Sequence, residues 1–415
     1  MNPLKTIIKD SKKIPLGVKL IVLVIFLRMV GWGFVDPFFS IFIQSFGESY
    51  TAVGAFVSLI SVISLLVMLP LIRLADKVQD SRILQDGEIF YLFTIIFYMA
   101  AGIYSSVPLL LIAFVLNGIA HPFVLVGAES YIRKHGGQFD NGKSFGYYTA
   151  LNYFGWILGM IIAAYIVPYR SFNLMFLFVL PSIIASLFIL PRIRERGFKS
   201  FFTGLKRYFH KAQDFKDLIQ DIRTINKKMY FFLFLAFFDG VITMFKFVFI
   251  PLFALAIDLN MRQIALFMAV MYLPFIFSFF FSEVTDRFKK MNVIAMGLFI
   301  GAISYILLSF IVKQEWVVVL ASTTSLALAI IRPAYNGVIT ALTPRRMLGE
   351  ITGLNNLMVK LGHIVGPIFS GVIADVYGIQ VAFFIIALVA FGLGMITLLM
   401  KEYDSVSAVP INANS

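Results

Sequence analysis

The chain contains no cysteine. That excludes a disulfide framework, a thiolate metal site and a cysteine nucleophile. Charge is scarce as well: 14% of residues are Asp, Glu, Lys or Arg, where soluble domains carry about 25%. So few charges cannot cover the water-facing surface of a 415-residue protein. No His-Glu zinc pattern and no Ser-His-Asp constellation stands out, so neither a metal nor a cofactor is expected. What is abundant is apolar: 60% of the chain is hydrophobic, 46 residues are phenylalanine, and the mean hydropathy is +0.90. Lipid is therefore the expected solvent for most of the chain, in helices of roughly 20 residues each.

Apolar segments recur at 18–45, 51–72, 87–104, 107–131, 143–166 and 171–191, then at 229–256, 262–283, 292–312, 316–342, 350–373 and 379–400. Helices are required, because lipid offers no partner to backbone polar groups, and the runs are too continuous for barrel strands. The expectation is an all-α membrane protein with twelve transmembrane helices: a six-helix bundle over 1–191, a linker over 192–228, a second bundle over 229–400 and a tail over 401–415. The lysines before the first span resemble a signal-peptide start, but no small-residue cleavage site follows, so the span is read as retained.

Basic residues favour alternate loops. One set holds Arg73, Lys77, Arg82, Arg133, Lys134, Lys143, Arg287, Lys289, Lys290, Arg345, Arg346 and eleven Lys or Arg between Arg192 and Lys228; the other holds Arg170, Arg262 and Lys313. The positive-inside rule then places both termini in the cytoplasm, with an even number of spans in the inner or plasma membrane. The net charge of +13 lies where anionic headgroups hold it, so nucleic acid is not expected as a partner. In the linker, Phe198, Phe201, Phe202, Leu205, Tyr208, Phe209, Phe215, Ile219 and Ile222 recur at helical spacing among lysines and arginines. That pattern fits an amphipathic helix on the inner leaflet, either a plain tether or a regulatory element.

The chain also repeats itself. Asp76-Lys77 ends the second span and Asp286-Arg287 ends the eighth, 210 residues later. His121-Pro122 in the fourth span matches Arg332-Pro333 in the tenth, and Gly155-x-x-x-Gly159 in the fifth matches Gly362-x-x-x-Gly366 in the eleventh. Two halves in the same orientation, with a site near the bilayer midplane, are a transporter architecture.

These motifs carry a resemblance to the major facilitator superfamily. Its signature between spans two and three reads G-x-x-x-D-[RK]-x-G-[RK]-[RK]. Residues 72–82 keep the Asp76-Lys77 pair but have Ile72 and Gln79 in place of the glycines, and Ser282 to Lys290 form a second copy. Gly366-Pro367-Ile368-Phe369-Ser370-Gly371 resembles the glycine-proline motif of drug exporters, although that motif belongs to the fifth span, where this chain has Met160 in place of proline. The resemblance covers residues 15–400. It implies two pseudo-symmetric six-helix bundles that rock to give alternating access. It also implies that Asp76 caps the inner end of the eleventh span in a cytoplasmic latch with Lys77, Arg82, Glu129, Asp286 and Arg287; a carboxylate is stabilised there by the helix dipole.

Charges within a span carry an insertion penalty of about 2.5–3.5 kcal/mol each and so mark candidates for function. They are Arg28 and Asp36 in the first span, Asp239 and Lys246 in the seventh, Arg332 in the tenth, and Lys360 with His363 in the eleventh; His121 is a further polar candidate. Asp36 matches Lys246, and Arg28 matches Asp239, at the repeat spacing. The expectation is two ion pairs between the halves, about 12 Å apart along the axis, with Arg332 a counter-ion to Asp239 or Asp36 or a site for an anionic substrate. Burial disfavours the charged form of a carboxyl and a nearby cation favours it. Asp36, beside the helix-breaking Pro37, and then Asp239 are therefore the proton-coupling candidates; fixed locks are the alternative. Gly155, Gly159, Gly362, Gly366 and Pro367 are assigned to close helix packing.

One motif points elsewhere. Gly137 to Ser144 fits the phosphate-loop pattern, but it lies in a short loop between spans, with no strand before it and no nucleotide domain around it. The leading expectation is secondary transport by a monomer: proton-coupled efflux of a lipophilic or cationic compound, with the bilayer, the proton and a small-molecule substrate as partners. Uptake of a polar or anionic nutrient is the alternative within transport. A membrane-embedded enzyme or a transporter-like sensor is the alternative outside it.

Overall fold

The structure is a computed structural model describing residues 15–47, 49–75, 78–135, 141–167, 172–193, 229–285, 287–311, 313–343 and 348–400. The expected amphipathic linker, the tail, and the latch residues Asp76, Lys77 and Asp286 lie outside the described residues. Helices run in the expected order: α1 (Leu16–Gln44), α2 (Tyr50–Ala75), α3 (Asp80–Tyr104), α4 (Val107–His135), α5 (Asn141–Ile166) and α6 (Leu180–Ile189). They resume with α7 (Met229–Ala256), α8 (Met261–Tyr272), α9 (Ser278–Thr285), α10 (Lys290–Phe310), α11 (Gln314–Leu342), α12 (Leu348–Tyr377) and α13 (Ile379–Leu399). Among the described residues, eleven segments are long and apolar enough to cross a membrane. The eighth span is the exception, because it is broken: α8 ends where Pro274 opens a 3-10 turn, Leu273–Phe277, and α9 continues it. Proline lacks the N–H that would carry an α-helix through. The sixth span likewise begins as a 3-10 segment, Phe172–Val179, ahead of Pro181.

The chain divides into two compact units: Met1–Phe42 with Leu59–Gln213, and Ile43–Ser58 with Asp214–Ser415. In both, large apolar side chains face outward, among them Phe188, Phe280, Phe310 and Leu399. Lipid is the solvent that tolerates such a surface. The phenylalanine-dense stretch splits between roles. Phe245, Phe249 and Phe253 pack inside the second unit, the first two stacked and Phe245 and Phe253 both edge-on to Phe383, whereas Phe234, Phe277 and Phe280 face out.

Glycines set how closely the helices approach. A Cβ at Gly159 would lie 2.1 Å from the Val30 carbonyl oxygen, and one at Gly33 would lie 2.1 Å from that of Trp156. So α5 and α1 touch backbone to backbone, with Gly155 against Phe26. In the second unit α12 meets α7 in the same way: Gly362 faces the Phe237 carbonyl at 2.1 Å, Gly240 faces that of Val359 at 2.2 Å, and Gly366 faces Val241. By these contacts Gly362 corresponds to Gly159. The glycine-spacing motif pairs it with Gly155, so the structural register on this helix differs from the motif register by about one turn.

At one end of the first unit, Lys134 near the end of α4 meets the buried Asp80 at the start of α3, 3.1 Å apart. Each charge sits at the helix end whose dipole favours it. In the second unit, Asp375 near the end of α12 accepts hydrogen bonds from the backbone N–H groups of Tyr50 (2.9 Å) and Thr51 (2.8 Å). It thereby caps the first turn of α2.

Candidate functional site

The first unit gathers its buried charges around α1. Arg28, Trp32 and Asp36 are spaced four apart, so they project from one face of that helix. Arg28 lies 3.8 Å from Glu88 of α3, a carboxylate with no solvent exposure. Its guanidinium also covers the ring of Tyr91, 4.2 Å from the centroid, a cation–π geometry. Asp36 is held by α5: the Trp156 indole N–H donates to its Oδ2 at 2.7 Å. Tyr91 in turn reaches His121 Nδ1 at 3.5 Å. One turn beyond Asn117, whose Nδ2 donates to the Tyr98 hydroxyl at 3.0 Å, His121 stands half-buried before Pro122.

The second unit holds a separate group. Arg332 of α11 lies 3.1 Å from Asp239 of α7 through both Nε and Nη2, and Nη2 also donates to Thr243 at 2.8 Å. Asp239 and Thr243 are one turn apart, so one face of α7 receives the whole guanidinium. The break in the eighth span points Phe275 at both cations, 5.1 Å from Arg332 and 5.9 Å from Lys246. Lys246 is buried and hydrogen-bonded to Ser325. Among the described residues it has no carboxylate within ion-pair distance.

A cavity of about 230 Å³ opens at the Asp239–Arg332 pair. Its polar wall is Asp239, Arg332, Tyr335, Asn336, Asn355 and Asn356, and Leu235, Phe238, Ile242, Leu298 and Val359 line much of the rest. Tyr335 is fixed by hydrogen bonds to the Phe232 carbonyl (2.9 Å) and to Asn355. The pair is a quarter to a third exposed, so it is open to a ligand without first being uncovered. Lys360 and His363, half-buried on α12, follow the cavity residue Val359 within about one turn.

Within each unit the charges find partners that the repeat spacing did not suggest. Arg28 takes Glu88 and Asp36 takes Trp156; Asp239 takes Arg332 and Lys246 takes Ser325. Each of these contacts lies inside one unit. Of the two counter-ion options for Arg332, geometry selects Asp239. Glu129 stands 3.4 Å from Arg133, and Arg82 donates to Gln85 at 2.8 Å. Exposed Arg287 sits in the turn after α9. Sequence reasoning missed Glu88 because it lies at the edge of an apolar run; the helix starts at Asp80, so Glu88 is two turns inside. It also missed Tyr91, Trp156, Ser325 and the asparagines of the cavity, which carry no charge to flag them.

A family model described as Major Facilitator Superfamily matches residues 21–359 and 232–413. Multidrug resistance protein 1 of Bacillus subtilis is 23% identical over 359 residues, spanning 85% of this chain and 88% of that protein. Quinolone resistance protein NorA of Staphylococcus aureus is 24% identical over 364 residues, with the same coverage. An uncharacterised MFS-type transporter of Methanocaldococcus jannaschii matches at 29% over 100 residues, 24% of this chain and 26% of that one. Among solved structures, the nucleoside transporter NupG superposes with a TM-score of 0.73 at 16% identity, covering 94% of this chain and all of that one. A bacterial homologue of the human lysosomal transporter Spinster superposes with a TM-score of 0.66 at 14% identity, covering 94% of this chain and 96% of that one. At such identities the structural likeness speaks to the fold.

Proposed function

The chain belongs to the Major Facilitator Superfamily and is a multi-pass membrane transporter, and from that premise we propose that it exports a lipophilic or cationic small molecule in exchange for protons. The observation that carries this reading is the cavity at Asp239 and Arg332. Its walls are largely apolar, and its one acid is neutralised by a partner that stays partly open to solvent. A cation entering there replaces the guanidinium beside Asp239; a proton on Asp239 does the same without a substrate. Only one of the two can hold the carboxylate at a time, which is the condition for exchange. Asp36 supplies the matching carboxylate in the first unit. The family resemblance to drug exporters and the sequence relatives named for multidrug and quinolone resistance support the direction. Both termini are proposed to face the cytoplasm, on the distribution of basic residues, with the transporter working as a monomer in the plasma membrane.

A second reading rests on the same cavity. Asn336, Asn355, Asn356 and Tyr335 offer amide and hydroxyl groups suited to a polar substrate, which favours nutrient uptake with Arg332 holding an anionic group. Inside-out vesicles energised with a pH gradient separate the two. Collapse of the gradient by a lipophilic cation in wild type, but not in Asp36→Asn or Asp239→Asn, supports export by exchange. Gradient-driven transport retained by both variants refutes it. Uptake of a polar or anionic compound in right-side-out vesicles, with no response to cations, supports the second reading.

A further inference from the structure

Among the described residues, the buried cluster around α1 holds two carboxylates and one arginine. Among the described residues, the cation acting on both Asp36 and Glu88 is Arg28, which lies 3.8 Å from Glu88 and two turns from Asp36 on the same face of α1. The two acids are not equivalent. Asp36 accepts a short hydrogen bond from Trp156 at 2.7 Å, and an ionised carboxylate is stabilised by such a donor. Glu88 has no exposure, and among the described residues neither of its oxygens has a hydrogen-bond partner. Its nearest cation, at 3.8 Å, is beyond hydrogen-bond reach, and that cation's plane lies over Tyr91 instead. An ionised glutamate left so would be an uncompensated buried charge.

The groups around it include Trp32 of α1, whose buried indole N–H has no hydrogen-bond partner among the described residues and whose ring meets Tyr91 edge-on, and the buried Tyr148 of α5, within electrostatic range of Arg28. Arg28 and Asp36 come from α1, Tyr91 stands one turn along α3, and His121 of α4 meets the Tyr91 hydroxyl. From α5, the Trp156 indole N–H donates to Asp36.

We propose that Glu88 is the group that holds the coupled proton in the first unit, with Asp36 the standing negative charge that balances Arg28. The inference rests on the proton-coupled reading above and moves the first unit's proton from Asp36 to Glu88. When the unit opens to water, the O–H bond of Glu88 breaks and the proton passes to water. The carboxylate left behind draws Arg28 off the Tyr91 ring and into a direct hydrogen bond. The cluster then carries one net negative charge, whose field favours a bound cationic substrate; reprotonation of Glu88 removes that charge and the preference with it. Proton and cationic substrate thus exclude each other through charge, without touching the same atom.

The test uses the purified full chain in phosphatidylethanolamine–phosphatidylglycerol vesicles, with ethidium as the probe cation. Two rates are read: ethidium exchange with no gradient, and ethidium movement driven by an imposed pH gradient. Glu88→Gln, which fixes the neutral form, is expected to keep exchange and lose the gradient-driven component. Glu88→Asp keeps the acid and is expected to keep coupling with a displaced pH profile. Gradient-driven movement at the wild-type rate in Glu88→Gln overturns the proposal. So does loss of both rates in Glu88→Asp as well as Glu88→Gln, since packing alone then explains the residue. Wild-type protein that exchanges ethidium but ignores the gradient overturns proton coupling itself, a pattern distinct from either.

Discussion

Replacing Gly362 by alanine tests the helix contacts most sharply. Away from contacts, glycine to alanine within a helix stabilises by about 1 kcal/mol. At Gly362 the added Cβ would lie 2.1 Å from the Phe237 carbonyl oxygen, 2.8 Å from the Val241 nitrogen and 2.9 Å from Gly240 Cα. All three are backbone atoms, so no side chain can swing aside, and α7 and α12 must separate by roughly 1 Å to restore ordinary contact. Overpacking of this kind costs about 1–3 kcal/mol, enough to cancel the helix-propensity gain and reverse the sign. Gly353 is the internal control: it lies on the same helix with nothing within 4 Å of its added Cβ. Thermal unfolding in detergent should place Gly362→Ala below wild type and Gly353→Ala at or above it. Equal or raised stability of Gly362→Ala would refute the close approach of α7 and α12.

Three further outcomes are expected. Asp239→Asn should leave Arg332 without its counter-ion and lose gradient-driven transport while the protein still reaches the membrane; transport at the wild-type rate in the vesicle assay would remove Asp239 from coupling. Lys246→Met should hold stability within about 1 kcal/mol of wild type or raise it, since a buried charge without an acidic partner contributes little that an apolar side chain does not; a large drop in unfolding temperature would point to an unseen counter-ion. Asp375→Ala should lower stability by about 0.5–2 kcal/mol through loss of the cap on α2, with Asp375→Asn, which keeps an acceptor, falling less; equal stability of all three proteins would show that the cap carries no weight.

Sequence by itself determined the solvent, the helical spans and the duplication. Hydropathy acts over about one span at a time, and lipid forces each apolar run into the one conformation that satisfies its own backbone. It also singled out Arg28, Asp36, Asp239, Lys246 and Arg332, because a charge inside an apolar run is conspicuous without any knowledge of its neighbours. Tertiary structure alone decided what those charges meet. The repeat put opposite charges at matching positions in the two halves and so suggested pairs between them. A side chain's partner depends instead on how its helix is rotated and which helix lies against it, and neither is written in spacing. Rotation of α1 delivers Arg28 to Glu88 and Asp36 to Trp156; rotation of α7 turns Asp239 to Arg332 and buries Lys246 beside Ser325. Glu88 shows the limit most directly: its depth in α3 depends on where that helix begins, which is at Asp80 and not at the edge of the hydrophobic run.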